Sequence, residues 1–248
     1  MYKRQSYHTE ETRGSFIAKL NPDNGEIVWK TELESHNYII NDLHAVGNTL
    51  YAVGQYKGTK RPLFIAVNLN DGTLLWQKEV AASDSTAFTE IDSDGSNLYV
   101  SSKSALGISG TVHQFNLDGS VVEAWNGSDR QKLSRTNTQD QTSVIVGNQI
   151  ISAGKTSLDE FYDGSSWRLV SRNLQTGAIN WRQQWGSSGD KIISSITEFN
   201  GKIYAVAIER KGKGWEGNVQ EISTQGELGR QIYLSLIHIS EPTRLRRI

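Results

Sequence analysis

A chain of 248 residues, 36% hydrophobic and 21% charged, has room for one large all-β domain or two ordinary ones. It contains no cysteine, which excludes disulfides and thiolate metal sites within the chain. A formal net charge of −1 with no long basic block argues against bulk attraction to nucleic-acid phosphates, and no apolar run is long enough to cross a bilayer as a helix.

Read from the N-terminus, Met1–Gly14 is polar and charged, unlike a secretory signal. The segment Leu234-Ser-Leu-Ile-His-Ile-Ser-Glu-Pro-Thr-Arg244 resembles the translation of a transposon-based sequencing adapter. Met1-Tyr-Lys-Arg-Gln5 resembles the translation of the same adapter in reverse complement. Residues 1–5 and 234–248 are therefore set aside as adapter sequence, and the chain is expected to be an internal piece of a longer protein. The remaining residues 6–233 hold 21 basic and 26 acidic side chains, a balance near −5.

Within 6–233 five segments align on a glycine: FIAKLNPDNGEIVW, LFIAVNLNDGTLLW, TVHQFNLDGSVVEAW, RLVSRNLQTGAINW and NVQEISTQGELGR. Their glycines are Gly25, Gly72, Gly119, Gly177 and Gly226, at steps of 47, 47, 58 and 49 residues. Four copies end in a tryptophan, Trp29, Trp76, Trp125 and Trp181. Trp125 sits late in its copy, and the fifth copy has Arg230 in that place. Four further segments interleave with these, LHAVGNTLYAVGQ, TEIDSDGSNLYVSSK, SVIVGNQIISAGK and TEFNGKIYAVAIE, turning at Gly47, Gly95, Gly147 and Gly201.

Both sets read as β-hairpins. Short β-branched and aromatic runs alternate with polar residues and meet at Asn-Gly, Asp-Gly or Gly-Asn, dipeptides that accept the positive φ of tight hairpin turns. Two hairpins per repeat make a four-stranded sheet about every fifty residues, and a twisted sheet of that size covers its faces only by stacking on its neighbours. The pattern predicts an all-β chain: an incomplete β-propeller of about four and a half four-stranded blades. The expected blades are 6–34 (partial), 35–82, 83–130, 131–187 and 188–233.

The pattern A-x-N-x-x-[DN]-G-x-x-x-W, clearest at Ala66–Trp76, resembles the repeat of the pyrroloquinoline-quinone (PQQ)-like propellers. WGSSGD at Trp185–Asp190 with the following SSITEFNGKIYAVA is similar to a related repeat of bacterial secreted and surface proteins. The resemblance implies that Trp29, Trp76, Trp125 and Trp181 pack between neighbouring blades, beside the turn glycines. It also implies a periplasmic, extracellular or cell-surface location. It leaves function open, because the family holds dehydrogenases, assembly factors and plain interaction modules.

Candidate chemistry is sparse. SAGKTS (Ser152–Ser157) lacks the upstream glycine of a phosphate-binding loop, since residue 149 is Gln149, and Gly154 is expected to end a strand. DSDG (Asp92–Gly95) and NPDNGE (Asn21–Glu26) are too short to supply calcium ligands in order and read as turns. His8, His36, His44 and His113 form no zinc-type spacing. His36, in a loop between blades, is the histidine best placed to face a central channel. RKGKGWEG (Arg210–Gly217) reads as a solvated loop. The insertion LDEFYDGSSW (Leu158–Trp167) reads as an elaborated loop and the favoured contact surface.

The expected function is a non-catalytic binding or scaffold module of a bacterial exported or surface protein. A protein or glycan partner would be met through inter-strand loops such as 157–167, with no nucleic acid and no membrane span. No catalytic, metal or cofactor-binding residue is assigned, and no cofactor is expected. The alternative is a piece of a PQQ-dependent quinoprotein dehydrogenase. The resemblance would then imply PQQ with a calcium-type ion and a carboxylate base near the propeller axis.

Overall fold

A computed structural model describes residues 2–8, 13–33, 38–56, 61–80, 85–104, 110–122, 125, 138–157, 165–186, 191–211 and 214–234. Alternation of apolar and polar residues carries through into strands, and no helix occurs among the described residues. The first sheet holds β1 (Tyr2–His8), β2 (Arg13–Leu20) and β3 (Ile27–Glu32). The second holds β4 (Tyr38–Val46), β5 (Thr49–Tyr56), β6 (Arg61–Asn68) and β7 (Leu74–Glu79). The third is β8 (Ser85–Ser93), β9 (Asn97–Ser104) and β10 (Gly110–Asn116). The fourth is β11 (Thr138–Val146), β12 (Gln149–Ser157), β13 (Ser165–Asn173) and β14 (Ile179–Trp185). The fifth is β15 (Lys191–Phe199), β16 (Lys202–Lys211), β17 (Gly214–Ser223) and β18 (Leu228–Leu234).

Every strand pairs antiparallel with its neighbour in the chain. The first strands of successive sheets, β4, β8, β11 and β15, pack one against the next, which places them on the inner side. The architecture is an open β-propeller whose sheets are the blades. β1 runs across residue 5 and β18 reaches residue 234.

Two turn types close the hairpins. At Asn200-Gly201 both residues have positive φ (52° and 74°), as a type I′ turn requires. The β6–β7 turn is wider. Asn68 donates its N–H to the Thr73 carbonyl, and its side-chain oxygen accepts the Asn70 N–H. Asn21 and Asn173 repeat this geometry at their own turns.

The third blade departs from the four strands expected of it. Asn116 donates to Ser120, so its turn is one residue shorter than the Asn68–Thr73 turn. The fifth blade has the same short turn, Ser223 to Glu227, and keeps β18, whereas beyond β10 the described pairing is the bridge of Phe115 with Val121 and the bond from the Val122 N–H to the Gln114 carbonyl. Trp125 follows Gly119 by six residues, where the other three tryptophans follow their glycines by four.

Each inner strand of blades two to five carries a bulge at the same place, between Ile40 and Asp42, Phe88 and Glu90, Asp140 and Thr142, and Ile193 and Ser195. An extra residue on one strand bends it and re-aims the side chains that follow. Gly54 lies opposite the first bulge, where an added Cβ would stand 1.9 Å from the Ile39 carbonyl oxygen. Gly154 pairs with Asp140 at the equivalent place, so it lies within β12 rather than ending a strand.

The core is divided among the seams between blades. Blades one and two enclose Ile17, Trp29, Leu33, Leu63 and Ile65. Blades two and three enclose a ring cluster in which Phe64 and Phe115 meet edge-on at 5.1 Å.

Candidate functional site at the blade seams

The tryptophans of the repeat sit on the seams. Trp29 of β3 donates its indole N–H to the Leu69 carbonyl of the next blade at 3.1 Å. Trp125 donates to Leu174 at 2.9 Å, and Trp181 of β14 to Thr224 at 3.0 Å. The rings of Trp29, Trp76 and Trp181 lie against the turn that joins the third and fourth positions of the following blade. A Cβ on Gly72 would stand 2.7 Å from Trp29, and one on Gly119 or Gly226 as close to Trp76 or Trp181. These turns have φ of 76°, 77° and 89°, so glycine is needed there for both conformation and space. Gly25 and Gly177 take positive φ as well, and a Cβ on Gly25 would meet nothing within 4 Å.

At the inner strands the bulges bring a set of carboxylates across the seams. Asp42 accepts the N–H of Ile91 on the next inner strand at 3.0 Å. Glu90, which occupies the position of Asp42 one blade on, accepts the N–H of Ser143. Asp92 accepts the N–H of Ile145 at 2.8 Å and lies 3.8 Å from His44 Nδ1. Asn41 adds a bond from its side-chain amide to the Phe88 carbonyl at 2.6 Å. Burial pushes the Glu90 carboxyl up to about 7. The charges of Asp42 and Asp92 push the same way, against bonds from Thr142 and Ser143.

No local sequence pattern marks this cluster, because its bonds join residues 49 to 53 positions apart. Its one trace is a polar residue at the matching place in each inner strand: Asp42, Glu90, Thr142 and Ser195.

His44 is half-buried beside Asp92, while His113 packs against Phe88 and Phe115 and bonds to Ser102 at 3.1 Å. Burial holds the His113 imidazole down at about 4, so it is neutral at pH 7. His36 and the side chain of His8 lie outside the described residues, as do 158–164 of the insertion and 212–213 of the basic loop. The segment Arg210–Gly217, expected as a solvated loop, is mostly strand: Arg210 and Lys211 end β16 and Gly214–Gly217 open β17, where Trp215 is exposed, while Trp167, the last residue of the insertion, is buried on β13. Within the two turns Asp94 accepts the N–H of Ser96 and Asn24 that of Glu26, whereas Asp92 of DSDG reaches across the seam to Ile145. Among the described residues no group of three or more His, Asp or Glu side chains is placed to hold a metal ion.

Repeated four-stranded antiparallel sheets, joined at their seams by tryptophan and glycine, define a β-propeller of the PQQ-like repeat type. Residues 13–247 match the profile of the family described as outer membrane protein assembly factor BamB, and the chain belongs to that family. The family is associated with the periplasm or outer membrane, and its propellers commonly mediate protein interactions. No curated protein matches the sequence.

Among solved structures the chain is similar to hydrazine synthase of Kuenenia stuttgartiensis. The TM-score is 0.62 at 11% identity, over 90% of this chain and 60% of that one. It is also similar to the Dos1 propeller, with a TM-score of 0.53 at 8% identity, over 90% of this chain and 67% of that one. At such identities these likenesses establish the fold alone. The chain spans 60% of the length of the hydrazine synthase chain it matches.

Proposed function

We propose that the chain is a non-catalytic binding or scaffold module of a bacterial exported or surface protein. Its partner, a protein or a glycan, is met at seams and inter-strand loops, the 157–167 insertion among them. The observation that carries this reading is the engagement of the axial carboxylates. Asp42, Glu90 and Asp92 each accept a backbone N–H from the next blade, an arrangement that ties blades together. Membership of a family whose propellers mediate protein interactions supports the same reading.

A second reading, part of a quinoprotein dehydrogenase, has one observation in its favour: a carboxyl at the inner strands with a pKa of about 7, suited to a general base. The residues present do not fit the metal such an enzyme uses. A calcium ion takes roughly six to eight oxygen ligands, and these carboxylates already bond to the backbone. The test is a dye-linked alcohol oxidation assay on the full chain loaded with PQQ and calcium. The module reading expects no turnover above the protein-free control. Turnover that Glu90→Gln abolishes would overturn it.

A further inference from the structure

The seam between the fourth and fifth blades holds a cleft of about 430 Å³, a size typical of small-molecule sites. On the fourth blade its wall is Trp167 and Trp185, with ring centroids 5.7 Å apart and planes tilted by 40°. On the fifth blade the wall is buried Glu209 and Gln220, with Gln231 and Tyr233 of β18 beside them. Tyr233 forms the rim and is 58% exposed.

The same places in the first seam are apolar. Trp185 stands four residues beyond Trp181, as Leu33 stands beyond Trp29, and by strand register Asn218 and Gln220 correspond to Leu63 and Ile65. Leu33, Leu63 and Ile65 are buried in one apolar cluster. In the last seam these places face one another as indoles and amides around an open space.

Asn218 adds a second, independent observation. It is wholly buried, lies on the same face of β17 as Gln220 and pairs across the sheet with Tyr233. Neither its amide nitrogen nor its oxygen has a hydrogen-bond partner among the described residues, and the indole N–H of Trp185 has none either. Buried polar groups in folded proteins are nearly always satisfied, so this seam lacks its hydrogen-bonding complement.

We propose that the cleft binds a neutral pyranose unit of a glycan. A pyranose has an apolar C–H face to lie against indole and phenol rings. Its hydroxyls both donate and accept, which suits the side-chain oxygen of Gln220, whose amide nitrogen already donates to the Glu221 and Gly229 carbonyls, and the amide nitrogen of Gln231, whose oxygen accepts from Tyr233. Asn218 stands behind the lining residues and does not itself line the cleft. The inference rests on the binding-module reading and names what the module binds.

The test is calorimetric titration of the full chain with cellobiose, chitobiose and maltose. The expected result is saturable heat with at least one of them. Tyr233→Ala and Trp185→Leu should each weaken it by at least about tenfold, an amount titration resolves readily. Tyr233 is exposed, so its variant keeps the parent's melting temperature and remains decisive if Trp185→Leu fails to fold. Two results would overturn the site: no saturable heat with any of the three disaccharides, or binding that Tyr233→Ala leaves unchanged. Either removes the saccharide while leaving the module reading intact, whereas turnover in the dye-linked assay removes the module.

Discussion

The first and last seams of this propeller are built on the same plan and end in different chemistry. In both, a tryptophan lies against the next blade's turn glycine and donates its indole N–H to a carbonyl there, Trp29 to Leu69 and Trp181 to Thr224. Further along the same strands, the first seam closes with Leu33, Leu63 and Ile65, while the last opens between Trp167, Trp185, Glu209 and Gln220. The tryptophan–glycine clasp recurs in both seams, and in the last it stands beside an apolar cluster that includes Ile151, Leu169, Ile193, Ile196 and Ile203. What fills the remaining seam is free to vary, and there a repeat protein can place a site without disturbing its fold.

The largest effect is expected in the closed seam. Leu63 is fully buried between blades one and two, and Leu63→Ala removes its contacts and leaves a cavity. The expected loss is about 2–5 kcal/mol in denaturant unfolding. A loss well under about 1 kcal/mol would mean that this seam relaxes like a surface, and the contrast with the last seam would disappear.

An intermediate effect is expected where blades three and four meet on the inner side. The folded-state pKa of Glu90 is raised from 4.5 to about 7, so the folded chain holds a proton there that the unfolded chain releases. Its contribution is therefore most favourable below pH 4.5 and is lost as pH rises towards 7. Glu90→Gln keeps an acceptor for the Ser143 N–H and stays neutral. At pH 8 the variant should be more stable than the parent by about 2 kcal/mol, with the difference vanishing below pH 4.5. Urea unfolding at both pH values measures it. Equal stability at pH 8 would show that Glu90 titrates like an exposed carboxylate.

Much of the fold was legible in the sequence, and for a physical reason. Hairpin turns such as Asn200-Gly201 need positive φ, which few residues other than glycine and asparagine accept, so each turn leaves a mark at one position. The late Trp125 was visible too. The pairing around it was not: among the described residues only the bridge of Phe115 with Val121 follows β10, and the residue types alone do not show that. The seams were far less legible. Asp42 and Glu90 act on backbone groups of the next blade, and the bulges that aim them show in the sequence only as Gly54 and Gly154. Trp167 read as the end of a loop and stands inside a cleft, because the residues opposite it come from another repeat.

The smallest effect has the opposite sign and bears most directly on the two seams. Asn218 occupies the place of Leu63, fully buried and with both ends of its amide without a hydrogen-bond partner among the described residues. An unsatisfied buried amide costs free energy in the folded state, and a leucine at the same place would bury apolar surface instead. Asn218→Leu should therefore stabilise the chain by about 1 kcal/mol, making the last seam resemble the first. Differential unfolding of parent and variant measures the change. Destabilisation by a similar amount would mean that the amide is satisfied in solution, and the polar wall of the cleft would then be part of the fold's own hydrogen bonding. Stabilisation together with weakened disaccharide binding would mean that stability is given up at this seam to keep a polar wall for a ligand, which the first seam, closed by Leu63, has no need to do.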